Sequence, residues 1–97
     1  RDMANNRLVE IDDRVLTIRD RGQKTLRFPG TQDGIIGRTQ QKIKWRYGKF
    51  NFVVEGINIE ILKSDEVYAA TTYKNEQLIP VLRIKGENII TRIRVND

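Results

Sequence analysis

Apolar and polar residues alternate along most of this chain, and such alternation is typical of half-buried β-strands. The first alternating segment, 8–11, ends at a pair of turn-forming aspartates. The segments 15–19 and 24–28 follow, and Gly22 between them favours a short hairpin loop because glycine tolerates a positive φ. The chain therefore opens with three predicted strands.

The segment 42–55 has the clearest pattern. Its Gly-Lys dipeptide at 48–49 fits a two-residue type II′ turn with glycine in the first position. That turn fixes the register of a hairpin and predicts two facing aromatic pairs, Tyr47 with Phe50 and Trp45 with Phe52. The opposite face of the first strand then carries three consecutive cations, namely Lys42, Lys44 and Arg46.

The later part of the chain predicts further strands. The segment 57–61 alternates cleanly, and the segments 78–85 and 89–95 predict a final hairpin that turns at the Gly-Glu dipeptide between them. The segment 64–74 is open to two interpretations, because its polar start can cap a short helix and its apolar residues also suit a strand.

Composition agrees with a β fold. Ile and Val together number 20, whereas Leu and Ala together number nine, and β-branched residues favour strands. The chain has 97 residues, the size of a single domain over 1–97. We expect an all-β or mainly β fold, a small antiparallel barrel or sandwich of about six to eight short strands. At most one short helix near 64–74 and a long loop over 29–41 complete this prediction.

Composition also excludes several classes of function. The chain has no Cys and no His, which excludes zinc sites built from those residues and the catalytic arrangements that pair Ser or Cys with His. The carboxylates lie at predicted turns or alternate along predicted strands. We therefore expect no catalytic residues, no metal site and no cofactor.

The sequence also gives an expectation about location. No apolar run approaches the roughly 20 residues that a membrane helix needs. The only methionine is Met3, which suggests a native start there, with residues 1–2 derived from a cloning vector and no signal peptide. We expect a cytoplasmic or virion-associated protein without a membrane partner.

Charge is the strongest functional signal in the sequence. The net charge is +5, but residues 14–49 contain ten Lys or Arg against two Asp, which suggests an anionic partner. The candidate binding residues are Arg38, Lys42, Lys44, Arg46 and Lys49. Cations on an edge strand also protect a sheet against aggregation, so a purely structural role is an alternative. The facing aromatic pairs likewise suit either the core or a platform that stacks on unpaired bases.

Two classes of function follow from these patterns. The first is a small, basic, non-catalytic module that contacts nucleic acid or another polyanion through the cationic face of the hairpin. The second is a module for protein–protein interaction or self-assembly, for example a phage structural or accessory protein that forms a homo-oligomer through its edge strands. An inhibitor that blocks a host enzyme with the loop 29–41 is a variant of the second class.

Overall fold

A computed structural model describes residues 7–31 and 35–96 of the chain. These residues form six β-strands, namely β1 (Arg7–Asp12), β2 (Val15–Pro29), β3 (Gln40–Tyr47), β4 (Phe50–Leu62), β5 (Val67–Thr71) and β6 (Glu76–Val95). All five strand pairs are antiparallel, and the described ranges contain no helix. The predicted all-β class and the predicted strand number are confirmed. Residues 1–2, for which a vector origin is predicted, lie outside the described residues.

The strands form one sheet in the order β1-β2-β6-β4-β3, with β5 paired to the start of β6. The central strand β6 is 20 residues long and pairs with β2, β4 and β5. As far as the described residues show, this sheet does not close into a barrel. The predicted barrel or sandwich is therefore not confirmed, and the long strands differ from the short ones that were expected.

Two predicted hairpins are wrong, because the chain runs on where a turn was expected. The segment 15–29 is the single strand β2, and its register shifts between Asp20 and Gln23, where Gly22 has a φ of 74°. Strand β6 likewise runs through Gly86 without reversing. Glycine is common in β-bulges and bends as well as in tight turns. In β2 and β6 the neighbouring strands pair with the chain on both sides of the glycine, so the chain stays extended.

Three smaller predictions are corrected or resolved. The segment 64–74 contains no helix, and its residues 67–71 are strand β5. The alternating segment 57–61 is not a separate strand, because it belongs to β4. The loop expected over 29–41 is shorter than predicted, since β2 continues to Pro29 and β3 begins at Gln40. Residues 32–34 of that loop lie outside the described residues.

The sheet bends back on itself and encloses its core on the inner face. Phe28, near the end of β2, meets Trp45 of β3 and Phe52 of β4 edge-on, with ring centroids 5.4 and 6.2 Å apart. Elsewhere in the core two glycines make room for Ile59, because a Cβ at Gly56 or Gly86 would lie within 3 Å of the Ile59 side chain. The buried core residues are Ile43, Val54, Ile59, Ile61, Leu82, Ile84 and Ile89.

One hairpin lies outside this core. Strand β5 and the start of β6 form a two-stranded arm over residues 67–80, here called the hairpin arm, in which β5 pairs only with β6. Several of its apolar side chains are exposed, with Val67 at 58%, Tyr68 at 63% and Leu78 at 63%, whereas Ile79 is half-buried.

Candidate nucleic-acid interface

The hairpin of β3 and β4 positions the predicted cations. Its register pairs Tyr47 with Phe50 and Trp45 with Phe52, as the turn at 48–49 predicts. Because side chains alternate along a strand, Lys42, Lys44 and Arg46 lie together on the outer face, the side of the sheet opposite the core. All three are exposed.

Strand β6 adds two arginines to this surface. Val53 of β4 lies between Lys44 and Arg92, and Asn51 lies between Arg46 and Arg94, as shown by the register of the three strands. Strands are spaced about 4.8 Å apart, so each arginine backbone is about 10 Å from its partner on β3. Five side chains therefore share one surface, here called the cationic face: Lys42, Lys44, Arg46, Arg92 and Arg94.

One carboxylate lies within this surface. Glu55 accepts a hydrogen bond from Nη1 of Arg92 over 2.8 Å, and Nζ of Lys42 lies 3.3 Å from its other oxygen. These contacts with Arg92 and Lys42 lower the pKa of Glu55, against the opposing effect of partial burial. Glu55 is therefore ionised at neutral pH, and it neutralises part of the charge on the cationic face.

The other three cations are available to a ligand. Within residues 7–31 and 35–96, no carboxylate lies within 4.0 Å of Lys44, Arg46 or Arg94. Nε of Arg46 donates a hydrogen bond to the carbonyl oxygen of Gly48 over 3.1 Å, which orients the guanidinium near the turn. These exposed charges keep most of their capacity to bind an anion.

The remaining predicted residues lie at the two ends of β3. Lys49 is exposed in the turn beside Arg46 and extends the cationic face at that end. Arg38 is exposed in the loop, two residues before β3 begins at the opposite end. The structure therefore groups Lys49 with the cationic face and leaves Arg38 beyond it.

Other basic residues of β6 belong to a different part of the sheet. Arg83 lies 3.6 Å from Glu66, and Lys85 lies 3.8 Å from Glu60, so both already have acidic neighbours. The sequence left open whether the basic residues of β6 extend the patch. Alternation shows that Arg92 and Arg94 share a face, but only the register across β4 places that face next to Lys44.

Two aromatic side chains of the hairpin, Trp45 and Phe52, are part of the core. Trp45 stacks on Phe52 with ring centroids 4.8 Å apart and nearly parallel planes, and Phe28 packs edge-on against both rings. Phe52 is 4% exposed. The structure therefore favours the core interpretation of Trp45 and Phe52 over the base-stacking platform, whereas Tyr47 and Phe50 are half-buried.

Comparisons with known protein families, curated proteins and solved structures found no match for this chain. In the part of the chain that the structure describes, no group of three or more acidic residues could hold a metal ion. The same residues include no helix that is long and apolar enough to cross a membrane.

Proposed function

We propose that this protein is a non-catalytic module that binds the phosphate backbone of nucleic acid through its cationic face. The observation that carries the proposal is the register that aligns Arg92 and Arg94 of β6 with Lys44 and Arg46 of β3. Four cations from two strands thereby form a regular array, where the sequence showed only a single stripe.

The array suits a repeating anion. Alternate residues along a strand are about 7 Å apart and the two cationic strands are about 10 Å apart, so several phosphates of one chain can be contacted together. Lys and Arg that neutralise phosphates release condensed counterions, and this release supplies most of the affinity in non-specific binding. The affinity is therefore expected to fall steeply with salt.

The proposed contact carries little sequence information. Phosphate contacts position a nucleic acid without reading its bases. Trp45 and Phe52 of the hairpin are packed in the core beside Phe28 and do not present their ring faces to bases. We therefore expect similar affinities for oligonucleotides of different sequence and equal length.

The test compares two double variants with the same change in net charge. Lys44→Gln with Arg94→Gln removes two cations that have no acidic neighbour in the described residues. Lys63→Gln with Lys74→Gln removes two exposed cations outside the cationic face that likewise have no ion pair in the described residues, and it serves as the matched control. Fluorescence anisotropy with a labelled oligonucleotide, repeated over a range of salt concentrations, gives the affinity and its salt dependence.

The first variant is expected to bind more weakly and to reduce the slope of log affinity against log salt by about 1.4 to 1.8, the contribution of two phosphate contacts. The control is expected to retain the slope of the wild type. An unchanged slope in the first variant, or an equal loss in both, would contradict the proposal. Saturable binding to heparin without binding to an oligonucleotide would assign the cationic face to a different polyanion.

A further inference from the structure

The two edges of the sheet have opposite charge. Strand β1 is one edge and β3 is the other, and each pairs with a single neighbour. On the outer face, β1 carries Glu10 and Asp12, whereas β3 carries Lys44 and Arg46. On the inner face β1 carries Arg7, Val9 and Ile11, and β3 carries Ile43 and Trp45.

We propose that the protein assembles with further copies of itself by pairing β1 of one protomer with β3 of the next. This inference goes beyond the proposed binding of nucleic acid and does not depend on it. Its evidence is the complementary charge of the two edges and the exposure of apolar residues along β1.

The topology determines the direction of this pairing. Neighbouring strands are antiparallel throughout the order β1-β2-β6-β4-β3, so β1 and β3 run in the same direction. Two copies placed side by side in the same orientation therefore bring β1 and β3 together as a parallel pair. Parallel strands form a regular ladder of hydrogen bonds, although each residue contributes slightly less than in an antiparallel pair.

The register across the sheet brings the charges into contact. One row of outer-face residues crosses the whole sheet, namely Lys44, Val53, Arg92, Thr17 and Glu10. The next row is Arg46, Asn51, Arg94, Val15 and Asp12. When the sheet repeats without a shift along the strands, Glu10 lies beside Lys44 of the next protomer and Asp12 lies beside Arg46.

The symmetric alternatives bring like charges together. Two copies of β1 paired with each other would place Glu10 and Asp12 against the same acidic pair. Two copies of β3 would place Lys44 and Arg46 against the same basic pair. Like charges directly opposite each other destabilise a strand pair, whereas opposite charges stabilise it. The head-to-tail pairing is therefore favoured, and such an interface builds a ring or an open filament.

Strand β1 presents a regular edge with exposed apolar residues. Its pairing with β2 is continuous from Arg7 to Asp12, without a proline or a bulge. Leu8 is 49% exposed, Val9 41% and Ile11 79%. Edge strands of monomeric proteins commonly carry bulges, prolines or inward-facing charges that prevent pairing with another chain. Of these features β1 has only an inward-facing charge, Arg7, and that charge is paired with Asp20 over 3.4 Å. A regular edge that exposes apolar residues next to acidic side chains is suited to a partner with the pattern of β3.

The charges on these edges are free to make new contacts. Asp12, Lys44 and Arg46 have no ion pair within the described residues. Glu10 lies 3.4 Å from Nε of Arg19, and both side chains are about half exposed. An exposed pair of this kind contributes little to stability, so Glu10 can exchange it for a contact with Lys44 of a second copy.

The test uses two charge-reversed variants and their mixture. Variant one carries Glu10→Lys and Asp12→Lys, and variant two carries Lys44→Glu and Arg46→Glu. Asp65→Lys with Glu76→Lys is the control, because it changes the net charge as variant one does at exposed positions away from both edges. Sedimentation velocity over a range of protein concentrations gives the size of the species, and circular dichroism confirms that each variant is folded.

The wild type is expected to form a ring or a filament that dissociates as salt is raised, and the control is expected to behave alike. In each reversed variant the two edges carry the same charge, so the concentration for half assembly should rise at least about tenfold. An equal mixture of the two variants restores opposite charges at every contact. The mixture is therefore expected to assemble again, with the two variants alternating.

A wild type that stays monomeric at the highest concentration would overturn the proposal, as would a mixture that stays dissociated although both variants are folded. A wild type that stops at a dimer would replace head-to-tail pairing by a symmetric contact. If one variant fails to fold, the proposal is tested by the oligomer size of the wild type and by the dependence of that size on salt concentration. Variant one keeps the whole cationic face, so its affinity for an oligonucleotide tests the proposed function separately from assembly.

Discussion

The indole N–H of Trp45 donates a hydrogen bond to the carbonyl oxygen of Pro29 over 3.0 Å. This bond connects the edge strand β3 to the end of β2, two strands that are not neighbours in the sheet. A Cβ at Gly30 would lie 2.7 Å from the same indole nitrogen, so a glycine is needed for the ring to reach this position. The bend of the sheet thus places Trp45 in the part of the core that also contains Phe28 and Phe52.

The first prediction concerns the fluorescence of Trp45, the only tryptophan of the chain. Because the ring is packed against Phe28 and Phe52, its emission should be blue-shifted relative to that of the unfolded chain. Addition of an oligonucleotide should leave the emission nearly unchanged, even at concentrations where a labelled oligonucleotide is bound. A red-shifted emission that the oligonucleotide strongly quenches would instead show base stacking on Trp45.

The second prediction concerns Gly86, where β6 passes close to β4. A Cβ at this position would lie 2.5 Å from Cγ2 and 3.2 Å from Cα of Ile59, and backbone atoms cannot move aside easily. Gly86→Ala should therefore lower the free energy of unfolding by about 3 kcal/mol. Gly22→Ala is the control, because nothing lies within 4 Å of its Cβ although its φ is 74°. The control should cost about 1 kcal/mol, and chemical denaturation that finds equal losses would contradict the prediction.

The third prediction concerns Thr91, which is 1% exposed. Its row on the inner face places it between Val54 of β4 and Ile18 of β2, and its hydroxyl has no hydrogen-bond partner among the described residues. Thr91→Val keeps the shape and removes an unsatisfied polar group, so it should raise the free energy of unfolding by about 1 kcal/mol. Thr91→Ser keeps the hydroxyl and loses a methyl group, and it should lower stability by a similar amount. Denaturation curves showing a less stable valine variant would mean that the hydroxyl is satisfied.

The fourth prediction concerns the pH dependence of stability. Contacts with Arg92 and Lys42 lower the pKa of Glu55 below the ordinary value of 4.5, so the unfolded state binds a proton more readily than the folded state. Glu55 therefore contributes stability that is fully present above about pH 4.5 and is lost as the pH falls through its lowered pKa.

The measurement is the free energy of unfolding between neutral and acidic pH. Glu55→Gln should flatten the acid part of this profile and should also strengthen binding of an oligonucleotide, because it removes the negative charge beside Lys42. Glu76→Gln, at an exposed position without an ion pair in the described residues, is the control. A Glu55→Gln profile as steep as that of the wild type would show that other carboxylates cause the loss.

The fifth prediction concerns the hairpin arm. Strand β5 pairs only with the start of β6, and its apolar residues Val67 and Tyr68 remain exposed. A two-stranded hairpin is marginally stable in water, so the arm should open without unfolding of the sheet. Hydrogen exchange followed by mass spectrometry should show faster exchange in 67–80 than in 84–93. Equal protection of both segments would indicate that the arm is covered in solution.

Local interactions explain what the sequence predicts correctly. The turn at 48–49 fixes the register of β3 and β4, so the pairing of Trp45 with Phe52 follows from neighbouring residues alone. The turns predicted at Gly22 and Gly86 are wrong because they also rested on neighbouring residues alone. A glycine in a bulge or a bend has the same local sequence pattern as a glycine in a turn. Only strand partners that are distant in sequence distinguish these cases.

The candidate site likewise has one part that the sequence predicts and one part that depends on the fold. The alternation of Lys42, Lys44 and Arg46 is visible in the sequence, and the structure places all three on one exposed face. The approach of Arg92 to Lys44 depends on β6 lying beside β4, which no local pattern encodes. Binding of nucleic acid by this surface stays a prediction.

The position of β6 has a consequence for how the protein forms during translation. This strand joins β2 to β4, yet it is the last of the six strands to leave the ribosome. Until then the nascent chain can form only two separate hairpins, β1 with β2 and β3 with β4. Contacts between residues distant in sequence dominate such a fold, and proteins of this kind fold slowly. The apolar faces of both hairpins therefore stay exposed until β6 has been synthesised. Chaperones that shield nascent chains would bind these faces during that interval.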